Sequence, residues 1–267
     1  HILLLGGSGF LGSAIAKRAL MEGYEVTSIS RRGKTQKSED GNKPQDDVLE
    51  KVNFVQGDAR DPDTIQQLLL SEQQTPYTAV IHSIGLLLDG KSGLGKYNQF
   101  VSGSGSTPDI NSTYDDITRK TAFNAIDALI KTSNFQASNK PIPFVFISAA
   151  EAGWPEMPGG SFVEKNLAPD WLRRYLTAKR AVEDKLMSID ATLIRPIIFR
   201  PSLIFSFDRL ASLAPVGAFF VGNKIGLPFV DRPVTVQALA CAVVRSLEDS
   251  NVRGVQRYKE IDALCSK

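Results

Sequence analysis

The chain has 267 residues, 42% of them hydrophobic, with a net charge of +2 at pH 7: enough to bury a large core, and too mild a charge to indicate nucleic acid. No apolar run approaches the ~20 residues that span a bilayer, so no transmembrane segment is expected. Two cysteines, Cys241 and Cys265, and two histidines supply neither a disulfide framework nor a metal cluster with ligand spacing.

Residues 1–5 read as a strand, and Gly6-Gly7-Ser8-Gly9-Phe10-Leu11-Gly12 follows directly. Leu11, Ile15, Ala16, Ala19 and Leu20 then recur at helical spacing. Strand, glycine turn and helix in that order are the context of a dinucleotide site. Gly6 is expected to permit the turn, Gly9 to let backbone approach a pyrophosphate, and Gly12 to let the helix pack closely on the sheet. The helix N-terminus then offers N–H groups and a positive dipole end to the phosphates. The first strand opens at His1 without an initiator Met, so an upstream segment, a targeting peptide among the options, is expected to have been removed.

A second strand is predicted over 25–30, a polar connection over 33–50, and a third strand over 52–56. Pro62 opens a helix through Leu70, and a fourth strand runs over 78–82. Residues 85–110, rich in Gly and Ser, read as a lid or a disordered surface excursion. A long helix is predicted over 113–131, a doubly buried strand over 142–148, a helix over 170–187, and a sixth strand over 191–195 with Pro196 just past its end. Strands alternating with helices at this spacing predict an α/β, doubly wound parallel sheet, a Rossmann fold, over residues 1–200. Residues 201–267 read as a small C-terminal lobe packed on it, with a helix over 234–247. The apolar residues of 201–230 are either core, a wall for an apolar ligand, or a patch facing a membrane or partner.

The end of the second strand selects the cofactor. A site for NAD places Asp or Glu ~20 residues past the glycines to hold the ribose hydroxyls. Here Ser30, Arg31 and Arg32 occupy that place, and guanidinium groups suit a 2′-phosphate, so NADP(H) is expected. Asp58 is placed to accept from the adenine amino group, and the backbone of His82-Ser83-Ile84-Gly85 to border the pyrophosphate and ribose. His82 is expected to pack rather than act as a base. Tyr175 and Lys179 stand four apart on a helix and share a face. A neighbouring ammonium should lower the Tyr175 pKa toward neutrality, making the phenol a general acid or base for hydride chemistry. The same Lys179 could hold the nicotinamide ribose.

On these residues, nearly the whole chain resembles an extended or atypical short-chain dehydrogenase/reductase. The resemblance rests on Gly6/Gly9/Gly12, Asp58, the strand end at His82 to Gly85, Tyr175/Lys179 and Arg195-Pro196. It implies cofactor contacts at Ser8, Phe10, Leu11, Ala59, Pro196 and Ile198 as well. Residues 82–88, 113–115, 146–149 and 232–234 are similar to a branch that serves the coenzyme Q biosynthetic complex of fungal mitochondria, related to a nucleotide-binding accessory subunit of respiratory complex I. That branch implies protein partners in a complex on the matrix side of the inner membrane, peripheral membrane contact and an apolar, quinone-like ligand.

Two departures matter. Ala150 stands where the superfamily's catalytic serine is expected, with Ser148 as a nearby substitute, and Thr118 replaces the usual Asn of the proton relay. Losing one preorganised donor typically costs on the order of 10²–10³ in rate. Two readings follow: a nucleotide-binding subunit with little catalysis, or an NADP(H)-dependent oxidoreductase using Tyr175 and Lys179. A cytosolic sugar-nucleotide epimerase is disfavoured by the missing serine and the apolar C-terminal stretch.

Overall fold

A computed structural model describes residues 1–31, 33, 47–70, 76–92, 109, 111–132, 140–207, 229 and 231–266. Seven strands form one parallel sheet: β1 (Ile2–Leu5), β2 (Val26–Ser30), β3 (Asn53–Gln56), β4 (Ala79–His82), β5 (Ile142–Ile147), β6 (Ile194–Phe199) and, near the C-terminus, β9 (Gly254–Gln256). The spatial order is β3-β2-β1-β4-β5-β6-β9. A short parallel pair, β7 (Ile204–Phe205) with β8 (Val234–Thr235), stands apart. Strand order reverses between β1 and β4, and the crevice outside their carboxyl ends is where doubly wound sheets bind ligands.

The central strands β1, β4 and β5 read as largely apolar runs because both faces are covered. Along β1, Ile2 and Leu4 join one core with Ile15, Val145, Ile197 and Val243, while Leu3 and Leu5 join the other with Ile65, Ile126, Phe144 and Val182. Helices α1 (Phe10–Met21), α6 (Val236–Glu248) and α7 (Tyr258–Ser266) cover the first face. Helices α2 (Pro62–Leu70), α3 (Thr121–Lys131) and α5 (Asp170–Ser188) cover the second; α4 (Gly160–Asn166) is a short helix between them in the chain. The core does not divide at 200/201: Val234, Leu239 and Val243 pack in one cluster with Ile2 and Ile15, and β9 extends the main sheet. The expected C-terminal lobe is therefore, over residues 231–266, part of the Rossmann layers; residues 208–228 and 230 lie outside the described residues.

Two boundaries differ from expectation. The sixth strand begins at Ile194, not near 191, because Asp190 accepts from the backbone N–H and the hydroxyl of Thr192 and holds a turn. It then runs through Pro196. The Ile142 and Ser148 amides donate to Leu193 and Phe199, so odd residues of β6 face β5 and even ones face β9. Pairing with β9 starts only at Ile197, so the missing N–H of Pro196 costs no ladder bond. The long helix predicted over 113–131 is also interrupted: a π-helical turn over Asp115–Lys120 precedes α3. Such single turns recur at functional sites, and here Ile117 and Thr121 face the cleft described below.

Candidate functional site

A cleft of about 590 Å³ opens at the switch point. One half of it is made by backbone. Gly6 has φ +93°, a conformation that only glycine adopts freely, and a Cβ on Gly12 would overlap the Gly6 carbonyl oxygen. Helix α1 can therefore start directly against the β1 turn. Its N-cap, Gly9, is extended and carries no capping side chain, leaving the N-terminus facing the cleft. The Gly7 amide donates to Ser28 Oγ at 3.1 Å and the Ser83 hydroxyl to the Leu5 carbonyl at 2.9 Å, tying the turn to β2 and β4.

At the far end of this half, Ser30 Oγ donates to the Gly33 carbonyl, and Arg31 lines the cleft while remaining exposed. Arg32 lies outside the described residues. Asp58 also lines the cleft, but its carboxylate is spanned by Arg60, whose Nε sits 3.0 Å from both oxygens. That guanidinium holds the Asp58 carboxyl below its usual range, with Arg31 adding to the effect. Arg60 itself lines the cleft, a contact that the sequence pattern does not signal.

Of the remaining expected cofactor contacts, Ser8, Phe10, Leu11, Ala59, Ser83, Ile84 and Gly85 line the cleft. His82, Pro196 and Ile198 do not. His82 is fully buried, with Nε2 2.8 Å from Thr121 Oγ1. Because that hydroxyl donates to the Ile117 carbonyl, the imidazole is the donor in this contact. Burial, aided by Lys179, pushes the His82 pKa down to about 3, so it is a neutral packing group. Pro196 and Ile198 are corrected by the strand boundary: they lie inside β6, buried, and the cleft residues beyond that strand are Pro201, Ser202, Leu203 and Ile204. Arg-Pro occurs at 195–196 and again at 200–201, and it is the second of these that meets the cleft. Arg195 instead donates to the carbonyls of Ser246, Leu247, Asp249 and Val252, closing the C-terminal end of α6.

The other half is made by side chains. Ser148, Tyr175 and Lys179 all line it. Ser148 ends β5, and its buried hydroxyl has no partner among the described residues. Ala150, expected at the serine position, is turned away into the core, its N–H donating to the Pro201 carbonyl. Lys179 is 3% exposed, and its ammonium donates to the Ile147 carbonyl at 2.7 Å. Burial lowers its pKa to about 8.

The expected lowering of the Tyr175 pKa is overturned. Burial pushes the phenol up from its ordinary value of 10, with the nearby Glu151 carboxylate and Tyr114 adding to the rise. Lys179 Nζ lies 5.4 Å from the Tyr175 ring centre but spends its donor on backbone. Tyr114 packs edge-on against Tyr175 at 5.5 Å, donates to the Leu87 carbonyl and accepts from the Asp89 amide. Glu151, Trp154, Trp171, Leu172 and Phe229 complete this half. Phe229 belongs to the apolar stretch 201–230, for which a ligand wall is one of the readings; the others carry no sequence signal, and Glu151 is simply three residues beyond Ser148 on a 3₁₀ turn, Ala150–Glu156.

Residues 2–92 match the model of the NAD dependent epimerase/dehydratase family. Over 97% of this chain and 98% of the relative, the sequence is 28% identical to MIOREX complex component 2 of Saccharomyces cerevisiae. An uncharacterized chloroplastic protein of Arabidopsis thaliana is 26% identical over 100% of this chain and 78% of its own. Among solved structures, the UDP-glucose 4-epimerase of Thermus thermophilus in complex with NAD superposes with a TM-score of 0.58 at 19% identity, covering 99% of this chain and 82% of that one. The chain thus shares the fold of that solved epimerase, and its first third matches the model of the epimerase/dehydratase family.

Proposed function

We propose that the cleft binds NADP(H), and that the protein acts mainly as the nucleotide-binding subunit of a complex. The observation that carries the nucleotide reading is Arg31 at the end of β2, lining the cleft where an NAD site needs a carboxylate. The glycine turn, the uncapped α1 N-terminus and the Ser83–Gly85 strand end fit the pyrophosphate and ribose. The solved Thermus epimerase holds NAD, which supports a nicotinamide nucleotide as the class.

The yeast relative's name supports a complex, and the chloroplastic Arabidopsis relative supports an organelle. We take the complex to be the mitochondrial coenzyme Q biosynthetic complex, on the matrix side of the inner membrane. The support is the likeness of residues 82–88, 113–115, 146–149 and 232–234 to that branch. Among the described residues no helix is long and apolar enough to cross a membrane, so attachment would be peripheral. Bound nucleotide would stabilise the fold, and with it a partner surface, by linkage without turnover.

Both tryptophans of the chain line the cleft, so their emission reports occupancy. Titration should show NADPH binding about tenfold tighter than NADH, with Arg31→Ala erasing the preference. Equal affinity in the wild type would remove the 2′-phosphate reading.

One observation favours a second reading, an active oxidoreductase on a quinone-like or polyprenylated intermediate. The free Ser148 hydroxyl faces the same cleft as Tyr175 and Lys179. Bound NADPH would supply a hydride to a carbonyl carbon. Ser148 would orient the carbonyl oxygen and Tyr175 would protonate it. With a quinone acceptor, Tyr175→Phe should abolish NADPH oxidation while nucleotide affinity stays unchanged. Turnover that survives the substitution removes Tyr175 from the chemistry, and wild-type protein without turnover supports the subunit reading.

A further inference from the structure

We infer that Glu151 is the polar anchor of the second half of the cleft: its carboxyl hydrogen-bonds an oxygen of an otherwise apolar, uncharged ligand lying against Trp154, Trp171, Leu172 and Phe229. The inference rests on the reading of the neighbouring half as a nucleotide site. Four observations support it. Glu151 lines the cleft, and among the described residues no cation pairs with it. The other carboxylates around this wall are paired: Glu156 with Arg200, Asp231 with Arg257, and Asp89 with Arg174. Unpaired acids are rarely kept in apolar surroundings unless something else meets them. Tyr175 lines the same half of the cleft as Glu151.

The walls decide the kind of ligand. Trp154 and Phe229 meet edge-on at 6.5 Å, and the Trp154 indole donates to the Phe229 carbonyl at 3.4 Å. That contact fixes the aromatic surface and uses the indole's one donor. Burial raises the Glu151 pKa against the lowering effect of a hydrogen bond from its own backbone N–H, and the charge of Asp231 adds to the rise. A carboxyl that tends to keep its proton both donates to a carbonyl and accepts from a hydroxyl. A phosphate or carboxylate gains no ion pair from such a carboxyl and is repelled whenever it ionises. Glu151 thus adds a second polar group to the cleft half that holds Ser148 and Tyr175.

The test compares 2-naphthol with 2-methylnaphthalene, which has nearly the same shape and lacks the oxygen, by calorimetric titration of the NADP⁺-loaded protein. Wild type should prefer the naphthol by about tenfold or more, as expected for one hydrogen bond to a carboxyl. Glu151→Leu should erase that preference, and Glu151→Gln should retain part of it. NADP⁺ affinity, measured on the same samples, should be unchanged in both variants, which separates loss of the anchor from loss of the fold. A preference that persists in Glu151→Leu, or no binding of either probe to NADP⁺-loaded wild type, overturns the inference. So does tighter binding of phenyltrimethylammonium than of 2-naphthol, which would make the site a cation cage. Failure of wild type to bind NADP⁺ at all overturns the nucleotide reading instead.

Discussion

The two halves of the cleft are built on different principles. The nucleotide half is shaped by backbone: the positive φ of Gly6, the close approach of Gly12, and strand ends tied by Ser28 and Ser83. The other half is shaped by side chains from β5, a 3₁₀ turn, α5 and the segment after β6. Backbone geometry tolerates little substitution and carries little chemistry of its own. Side-chain walls tolerate substitution and determine what, if anything, reacts. The same fold can therefore keep its backbone-built half while the side chains of the other half change.

The largest expected effect tests whether the second half has a rigid frame. Arg200, at the end of β6, is buried and forms paired hydrogen bonds to Glu183 of α5 and to Glu156 of the 3₁₀ turn. Glu183 is 4% exposed, so Arg200→Leu strands a buried carboxylate. The loss should be about 3–5 kcal/mol, read as a fall in the urea midpoint. Restoring neutrality with Arg200→Leu/Glu183→Leu should recover much of it. If the single variant is as stable as wild type, the network does not hold this wall.

Next is the nucleotide half. Gly12→Val places a branched Cβ against the Gly6 carbonyl, and α1 must shift off the turn. Overpacking of this kind costs about 1–3 kcal/mol. Nucleotide binding should be lost even where the fold survives, as shown by circular dichroism beside a NADPH titration. Wild-type affinity in Gly12→Val would mean that the close approach is not needed for binding.

The contrast also explains what could be read in advance. The glycine turn and Arg31 are local: each is a residue type tied to a backbone conformation or a strand end, whereas the strand order comes only from the tertiary fold. The end of β6 was misplaced because Pro196 looks like a terminator, and only the late start of β9 makes it harmless. Pro196 and Ile198, implied as cofactor contacts by the resemblance, lie inside β6, and residues 201–204 line the cleft instead. The Tyr175/Lys179 pair is legible from its spacing. Its electrostatics are not, because they depend on where Lys179 sends its proton and on Glu151 and Tyr114, which arrive from other elements. Trp154, Trp171 and Glu151 are brought together only by tertiary folding.

A pH-dependent effect sharpens the electrostatic side of the comparison. Lys179 has its pKa lowered from 10.5 to about 8, chiefly by burial. Below pH 8 both the folded and unfolded chains carry its proton, and the fold bears the full cost of burying the charge. Between pH 8 and 10.5 the unfolded chain holds more protons than the folded one, so this group makes stability rise with pH. Lys179→Met has no such group. Its stability relative to wild type should be highest below pH 8 and should fall as pH rises toward 10.5. Urea midpoints for both proteins at several pH values across this window give the difference. Other groups, including the raised Tyr175 phenol, titrate in both proteins and largely cancel. A difference that stays flat would show that Lys179 keeps its charge through the window, and that the ammonium held on the Ile147 carbonyl is better solvated than its burial implies.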